Sequence, residues 1–315
     1  MGQALQMMSE MRPPASHFLP VRDIPDLSGK VMIVTGRNNG LGKETIQELL
    51  KKNAKVYMAS RSRTRAEEAI NDLEQKTGKR AIFLKLDLAS LDSITKAARE
   101  FQRQETVLDV LFNSGGVMNT PVDNLTADGY DLQFGVNCLG HAHFTLLLLP
   151  QLIAGAKHSP DGRARVVNIS SNAAYGAGSV GIYFDMMTDT PKRRTKALAL
   201  YSISKYGNVV FSNELAKRYG DQGIVSTALH PGSIETDIAQ HMAPWVQRTL
   251  KFLLFYPIQY GVLTSLWAGT SPETRDLNGK WLIPWARVGK MGPSKDPHLG
   301  EKLWDWIEEQ RKGHC

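Results

Sequence analysis

Short apolar segments alternate along this chain with segments whose apolar residues share one helical face. The first apolar run, 31–35, is followed by a segment in which Ile46, Leu49 and Leu50 have helical spacing. The same pattern predicts further strands at 55–60, 81–86, 107–112, 165–169 and 224–229. Helices are predicted between them, one ending at Gly78, one capped by Ser90 and one extending over 132–153.

Strands that alternate with helices in this order form a parallel sheet with right-handed crossovers. The pattern therefore predicts an α/β fold, a single doubly wound Rossmann domain with a parallel sheet and helices on both faces. We place this domain at 29–315. Residues 1–28 hold four prolines and no apolar core typical of a signal peptide, so we interpret them as an N-terminal arm.

A glycine-rich turn connects the first predicted strand to its helix. It reads Thr35-Gly36-x3-Gly40-x-Gly42. A side chain at any of these glycines would keep a diphosphate from the backbone N–H groups and from the positive end of the helix. The turn predicts nucleotide binding, although an α/β turn can need glycine for its backbone conformation alone.

The carboxyl ends of parallel strands meet at one edge of a sheet, where ligands bind. Several chemically distinctive segments are predicted there: the Gly36 turn, Arg61, Asp87, Asn113, Ser170–Ser171 and His230–Gly232. Their convergence indicates one functional site.

Tyr201 and Lys205 lie four residues apart and therefore on one face of a helix. A lysine ammonium lowers the pKa of a nearby phenol, which suits the pair to exchanging a proton with an alkoxide while a cofactor moves a hydride. Ser171 (or Ser170) can hold the substrate oxygen, and the Asn137 amide can hold a water behind the lysine. The alternatives are an exposed helix face, a strand-end turn for the serines and a helix cap for Asn137.

With these residues in this order, the chain resembles the short-chain dehydrogenase/reductase family over roughly 25–310, and within it the retinol-dehydrogenase-like branch with its fungal members. The resemblance implies four catalytic residues: Asn137, Ser171, Tyr201 and Lys205. It favours Ser171 over Ser170, because the family motif places the hydroxyl second. The residues predicted to bind the cofactor are Gly36, Arg37, Asn39, Gly40, Leu41, Gly42, Arg61, Arg63, Asp87, Leu88, Asn113, Gly115, Tyr201, Lys205, Pro231, Gly232, Ile234 and Thr236.

The chain departs from the family pattern in two places. Asn113-Ser114-Gly115-Gly116 stands where the family has Asn-Asn-Ala-Gly. Residues 172–200 are longer than the corresponding family segment and include the basic run Lys192–Arg194. This insert is either a substrate lid with a basic hinge or a decorated surface loop.

The end of the second strand indicates which cofactor is used. Ser60, Arg61 and Arg63 stand where an enzyme that prefers NAD has a carboxylate for the ribose, and Arg37 lies in the glycine turn. Guanidinium groups bind a 2′-phosphate in bidentate fashion, so NADP(H) is predicted. The alternative is a merely basic helix start, which the helix dipole disfavours.

Charge and composition exclude other classes. The net charge is +7, but no basic stripe interleaved with aromatic residues predicts nucleic-acid binding. Two cysteines, Cys138 and Cys315, provide neither a disulfide framework nor a metal site and favour a reducing, cytoplasmic compartment. No apolar run reaches membrane-spanning length. The apolar segment 250–258 is predicted to form a pocket wall or, alternatively, a peripheral contact with an intracellular membrane. His141, His143 and His230 are interpreted as structural.

These observations predict an NADP(H)-dependent oxidoreductase, a ketoreductase of secondary metabolism. It would interconvert a carbonyl and an alcohol on a hydrophobic retinoid-, terpenoid- or polyketide-like molecule. The substrate loops are placed at 172–200 and 238–260, the second rich in apolar residues such as Met242, Trp245 and Phe252. The rival hypotheses are a non-catalytic dinucleotide sensor and an isomerase or dehydratase with the same residues. The resemblance implies a homodimer or homotetramer.

Overall fold

In a computed structural model that describes residues 10, 13–36, 40–178, 181–234, 256–291 and 296–314, the chain folds around an eight-stranded sheet. The strand order is β3-β2-β1-β4-β5-β6-β7-β8. All neighbouring strands pair in parallel except β7 and β8, which are antiparallel. The strands are β1 (Val31–Thr35), β2 (Lys55–Ser60), β3 (Ile82–Lys85), β4 (Val110–Asn113), β5 (Ala164–Ile169), β6 (Ile224–Leu229), β7 (Trp281–Ile283) and β8 (Arg287–Val288).

The predicted doubly wound Rossmann fold is confirmed, with one correction. The antiparallel β8 makes the sheet mostly rather than wholly parallel. The pattern does not predict β7 or β8, because segments of three and two residues are too short to show a period. The order reverses where β4 returns to lie beside β1, and this is the position at which such sheets bind ligands.

Helices cover both faces of the sheet. In chain order they are α1 (Pro20–Asp23), α2 (Gly40–Lys51), α3 (Arg63–Thr77), α4 (Leu91–Gln104), α5 (Leu132–Phe134), a π-helix (Gly135–Gly140), α6 (His141–Leu147), α7 (Leu149–His158), α8 (Ala174–Gly178), α9 (Pro191–Thr195), α10 (Ala197–Tyr219), α11 (Ile258–Gly261), α12 (Leu263–Thr270) and α13 (Leu299–Gln310). Short 3₁₀ turns occur at Phe184–Met186, Gly220–Gln222 and Pro272–Asp276. The predicted end of α3 at Gly78, with φ of 70°, and the Ser90 cap of α4 are confirmed.

The core forms two layers, one on each face of the sheet. In β1, Val31 and Ile33 face one layer, and Met32 and Val34 face the other. Burial on both faces explains why the strands are continuous apolar runs rather than alternating ones. Phe18, from the segment before the first strand, is buried in the second layer.

The helical stretch predicted at 132–153 has one break. The segments α5, the π-helix and α6 follow one another without a gap, and Leu148 separates α6 from α7. Pro150 explains this break, because it has no N–H to continue the hydrogen-bond ladder of α6. Within the described ranges, no single helix is long and apolar enough to cross a membrane; Leu132–Leu147 and Leu149–His158 meet those criteria only as a pair bent by 59°.

The insert at 172–200 is tightly packed against the domain. Tyr175, Met186 and Met187 belong to the first core layer. Its basic run is paired with carboxylates: Lys192 Nζ lies 2.7 Å from Asp185, and Arg194 contacts Asp123 and Asp189. The run is therefore a set of ion pairs, which argues against an unattached surface loop. Its role as a substrate loop stays a prediction.

Arg193 is the most deeply placed cation of this run. Its side chain is 0% exposed, and its Nε lies 3.0 Å from the equally buried carboxylate of Asp131. The guanidinium also donates to the Asn124 carbonyl, at 3.1 Å. Asp131 in turn accepts from the backbone N–H of Phe134 and caps α5. The ion pair therefore connects the insert to the start of the helix that continues into Gly135–Gly140.

We predict that Arg193→Met lowers the free energy of unfolding by about 3–5 kcal/mol, because it leaves the Asp131 carboxylate buried without its cation. Arg194→Met is the matched control; its ion pairs are exposed and screened by solvent, so it should cost much less stability than Arg193→Met. Urea denaturation of both variants measures the difference. Equal losses would contradict a structural role for the buried pair.

Candidate active site

The glycine turn after β1 lies against the turn after β4. Gly36 has φ of 124°, and an added Cβ there would lie only 2.9 Å from the Cα of Gly115. A Cβ on Gly115 would in turn lie 2.8 Å from the Leu88 side chain. Only glycines allow the two turns to approach this closely. Arg37 and Asn39 lie outside the described residues.

Thr35 holds the second turn in place. Its buried Oγ1 accepts hydrogen bonds from the backbone N–H groups of Ser114, at 3.0 Å, and Gly115, at 3.1 Å. The Asn113 side chain points inward instead, where its Nδ2 donates to Thr145 and Asn168, both at 3.0 Å. Asn113 therefore supports the turn from below, and only its backbone lies at the strand edge.

At the end of β2, a buried serine hydroxyl is followed by the two arginines that were predicted to bind the cofactor. Ser60 is 6% exposed, and among the described residues its Oγ has no hydrogen-bond partner. Arg61 is exposed. Arg63 is engaged elsewhere, since its guanidinium lies 4.5 Å from the centre of the Phe83 ring and 3.6 Å from Glu67. Within the part of the chain that the structure describes, the Arg61 guanidinium makes no ion pair or aromatic contact of this kind.

Asp87, the predicted acidic residue after β3, is held in place by two local hydrogen bonds. The Asp87 carboxylate accepts from the N–H of Ala89 at 3.0 Å, and the Asp87 N–H donates to Ser93 at the same distance. Leu88 follows and reaches Gly115 as described above. Both residues therefore lie along the same edge as the glycine turns.

Asn137 lies within the π-helix, and its side chain is fully buried. Its Oδ1 accepts from the Val117 N–H at 2.8 Å, while its Nδ2 donates to the Val117 carbonyl and to Ser204 Oγ, both at 2.9 Å. The residue ties the turn after β4 to α10. It is therefore not a helix cap, the alternative considered from the sequence.

Lys205 is buried in α10 beneath the same turn. Its Nζ donates to the Ile169 carbonyl at 2.9 Å, and a Cβ on Gly116 would lie 3.4 Å from Nζ and 3.1 Å from Asn137 Oδ1. Burial lowers the pKa of Lys205 to about 8. Lys205, Asn137 and Gly116 thus form one contiguous group.

The predicted lowering of the Tyr201 pKa is wrong for this structure. Partial burial raises the pKa of Tyr201 above its usual value, and the nearby Ser171 hydroxyl offsets part of that rise. The physical reason is that Tyr201 is partly removed from water, while the Lys205 ammonium is directed at the Ile169 carbonyl.

The structure distinguishes the two adjacent serines. Ser170 is 3% exposed, and its hydroxyl donates to the Lys205 carbonyl at 2.6 Å. Ser171 is half-buried; its hydroxyl donates to Asn172 Oδ1 and accepts from the Ala173 N–H, both at 3.2 Å. Ser171, not Ser170, is the serine close enough to the Tyr201 phenol to affect its pKa.

The segment after β6 completes the edge. Gly232 has φ of 90°, and Ile234 is buried and bridges to Tyr256. A narrow cleft separates this segment from the first turn and is lined in part by Leu41, Pro231 and Gly261. Thr236 and most of the loop predicted at 238–260 lie outside the described residues, including Met242, Trp245 and Phe252.

A buried cluster near this edge includes Glu10, a residue that was not predicted from the sequence. Tyr175 donates to the Glu10 carboxylate at 2.8 Å, accepts from Trp281 Nε1 at 2.8 Å, and lies in the helix that follows Ser171. His230 Nε2 also lies 3.0 Å from Glu10. Glu10 lies 165 positions from Tyr175 in the sequence, so no local sequence pattern indicates that the two residues meet.

Comparison with known proteins agrees with this geometry. The family described as short chain dehydrogenase matches residues 30–184. The chain is 52% identical, over 100% of both chains, to a short-chain dehydrogenase/reductase of Armillaria gallica. It is 38% identical to one of Phomopsis amygdali, over 92% of this chain and 91% of that protein.

This chain belongs to the short-chain dehydrogenase/reductase family. The family prediction is confirmed, and the retinol-dehydrogenase-like branch stays a prediction. Among solved structures, an uncharacterized protein from Mycobacterium paratuberculosis superposes with a TM-score of 0.71 at 28% identity, covering 94% of this chain and 98% of that one. A short chain dehydrogenase from Burkholderia cenocepacia, in complex with NADP, has the same fold with a TM-score of 0.62, 24% identity, and coverage of 83% and 98%.

The described residues contain no group of three His, Cys, Asp or Glu side chains placed to bind a metal ion. The thiol of Cys138, next to Asn137, is buried, and burial raises its pKa to about 12. It packs against Gly207, where an added Cβ would lie 2.8 Å from Sγ. Cys138 is therefore a core residue in this family member.

Two buried histidines of α6 make stability depend on pH. Burial lowers the pKa of both His141 and His143 to about 4. Their usual pKa of about 6.5 is restored on unfolding, so the unfolded chain binds more protons between these two values. The stability they contribute is therefore complete above pH 6.5 and is lost as the pH falls from 6.5 towards 4.

We predict that lowering the pH from 7.5 to 5 reduces the free energy of unfolding by about 2 kcal/mol for each histidine. Urea denaturation at the two pH values measures the loss, and His143→Leu should remove one share of it. If the variant loses as much stability as the wild type over this range, His143 is not the titrating group.

Proposed function

We propose that this protein is an NADP(H)-dependent oxidoreductase that interconverts a carbonyl and an alcohol on a hydrophobic small molecule. The observation that carries the proposal is the convergence of Ser171, Tyr201, Lys205 and Asn137 at the edge where the glycine turns meet: the Ser171 hydroxyl is near the Tyr201 phenol, and Lys205 Nζ and Asn137 Oδ1 both lie against Gly116. Membership of the family supports the oxidoreductase class.

Each of the four predicted catalytic residues would have a separate role in this reaction. When bound, the dinucleotide supplies or accepts the hydride. Ser171 holds the substrate oxygen beside Tyr201, whose phenol donates a proton to that oxygen during reduction. Lys205 lies beneath the turn at Gly116, where its ammonium would hold the ribose hydroxyls of the bound dinucleotide. Asn137 holds Val117 and Ser204, so it fixes the turn and α10 relative to each other.

The preference for NADP(H) is supported by the end of β2. The Ser60 hydroxyl is buried without a partner among the described residues, and a ribose phosphate provides acceptors for it. Arg61 is adjacent and exposed, which fits binding of a 2′-phosphate. The solved relative from Burkholderia cenocepacia was crystallised with NADP, which supports the same choice.

The hydrophobic substrate class is supported by aromatic residues beside the cleft. Trp285 packs against Tyr256 and Tyr260, with ring centres 4.9 Å and 4.7 Å apart. Tyr260 is also exposed at its outer side. A role in secondary metabolism agrees with this surface. Assembly into a dimer or tetramer and contact with an intracellular membrane are further parts of the proposal.

We predict that Tyr201→Phe abolishes NADPH oxidation with lipophilic aldehydes and ketones, because no proton donor remains. Ser171→Ala should lower kcat/KM by about 10²-fold or more. Ser170→Ala is the matched control, since its hydroxyl binds the Lys205 carbonyl and should affect mainly stability. Absorbance of the dihydronicotinamide measures all three.

Each outcome of this experiment decides between functions. Activity retained by Tyr201→Phe would overturn the catalytic assignment. A wild type that binds NADPH but reduces none of the compounds would favour the sensor or the isomerase and dehydratase alternatives.

We also predict that Arg61→Ala raises the dissociation constant of NADPH by about tenfold and leaves that of NADH unchanged, because only NADPH carries the 2′-phosphate. Arg63→Ala should have a smaller effect, since its guanidinium is held by Phe83. Calorimetric titration with both dinucleotides measures the constants. Equal weakening of NADPH and NADH by Arg61→Ala would show that Arg61 does not recognise the phosphate.

A further inference from the structure

His141 contacts two parts of the candidate active site at once. Its Nδ1 lies 3.0 Å from the Asn137 carbonyl, and its Nε2 lies 2.8 Å from Thr35 Oγ1. The ring is buried, with 2% of the residue exposed. Asn137 is the predicted catalytic amide, and Thr35 begins the glycine turn. His141 thus bridges two segments that are 106 residues apart in the sequence.

The partners of the ring determine where its proton lies. A carbonyl can only accept, so His141 Nδ1 must donate to Asn137, and the neutral ring then has an acceptor at Nε2. The Thr35 hydroxyl therefore donates to Nε2. It also lies 3.3 Å from the Phe112 carbonyl, a longer contact.

This arrangement directs the Thr35 oxygen towards the second glycine turn. With its proton committed to His141, Thr35 Oγ1 presents its lone pairs to the N–H groups of Ser114 and Gly115, which it binds at 3.0 and 3.1 Å. Gly115 is the residue that contacts Gly36. One imidazole thereby sets the orientation of the group that holds the two turns together.

A third contact reaches the same turn from below. The His141 carbonyl accepts from Thr145 Oγ1 at 2.8 Å, and Thr145 accepts from Asn113 Nδ2 at 3.0 Å. Asn113, Ser114 and Gly115 are therefore all connected to α6, Asn113 through Thr145 and the other two through Thr35 and His141.

We propose that His141 is a positioning residue that couples Asn137 to the cofactor-facing turns at Gly36 and Gly115 through Thr35. This inference rests on the proposed function, because it takes these turns to be the dinucleotide site. Its consequence is that loss of the imidazole weakens dinucleotide binding as well as turnover.

The chain offers a matched control in His143, two residues further along α6. It is equally buried, and its Nε2 lies 3.0 Å from the hydroxyl of Thr95. Its Nδ1 accepts from Arg311, the residue directly after α13, at 3.3 Å, so its proton lies on the opposite nitrogen. Its contacts lead to α4 and the C-terminal helix, away from the glycine turns.

The test compares His141→Leu with His143→Leu, and its main measurement is the NADPH dissociation constant by calorimetric titration, which needs no turnover. Both variants should lower the Tm. Only His141→Leu should raise the dissociation constant, by about tenfold, and lower kcat as well. Equal dissociation constants for the two variants would overturn the proposal.

A second pair of variants tests the path through Thr35. Thr35→Val removes the hydroxyl and should weaken NADPH binding, whereas Thr35→Ser should restore it. The double variant Thr35→Val/His141→Leu should have an NADPH dissociation constant no higher than that of the single variant that binds NADPH less tightly, because both changes break the same connection. Independent, multiplied losses would overturn the proposal. If His141→Leu does not fold, equal binding by Thr35→Val and Thr35→Ser would overturn it instead.

Failure of the proposed function gives a different result. In that case the wild type binds neither dinucleotide, or Tyr201→Phe retains turnover. If the wild type binds NADPH, Tyr201→Phe is inactive and the two histidine variants bind NADPH equally, only the role of His141 is wrong.

Discussion

The close approach of two turns, one after β1 and one after β4, is the constraint on which the rest of the site depends. Gly36 and Gly115 meet at a distance that leaves no room for a Cβ on either. The two strands are neighbours in the sheet, although β2 and β3 come between them in the chain. Thr35 fixes the contact by accepting two backbone N–H groups of the second turn. Under the proposed function, this contact places the backbone of both turns at the edge where the diphosphate would bind.

Polar groups beneath this contact are buried, and most are paired. Asn113 and Asn168 form a buried chain with Thr145 and Ser226 that crosses β4, β5 and β6. Asn137 binds both backbone groups of Val117. Buried polar networks of this kind favour one arrangement, since a shift of any member leaves a donor or acceptor without a partner. The network therefore transmits the position of the turns to the segments that carry the reactive side chains.

Much of this could be predicted from the sequence. Six strands and the clustering of the edge residues followed from apolar runs and glycine positions, because parallel strands buried on both faces give a strong local pattern. The Ser60–Arg61 segment also lies where the pattern placed it. The π-helical turn around Asn137 was not predicted, because π-helical geometry depends on neighbours such as Val117 rather than on spacing.

Other features were beyond sequence reasoning because they depend on distant partners. Arg193 reads as part of a basic surface run, yet it is buried by Asp131, 62 positions away. Glu10 meets Tyr175 and His230 only in the folded chain. The pKa of Tyr201 depends on its burial, which the Tyr-x3-Lys spacing does not reveal. In each case the residue type can be read from the sequence, whereas the residues that surround it in the folded chain cannot.

Burial of the reactive pair has a consequence for the direction of the proposed reaction. Desolvation disfavours the charged form of both side chains, raising the pKa of Tyr201 and lowering that of Lys205 to about 8. At neutral pH Tyr201 is therefore protonated, which is the state that carbonyl reduction requires of its proton donor. Alcohol oxidation would begin from the phenolate, which this site penalises, and Ser171 offsets only part of that penalty. Under the proposed function, the proton that carbonyl reduction needs is therefore already on Tyr201 at neutral pH, whereas alcohol oxidation requires Tyr201 to be deprotonated first.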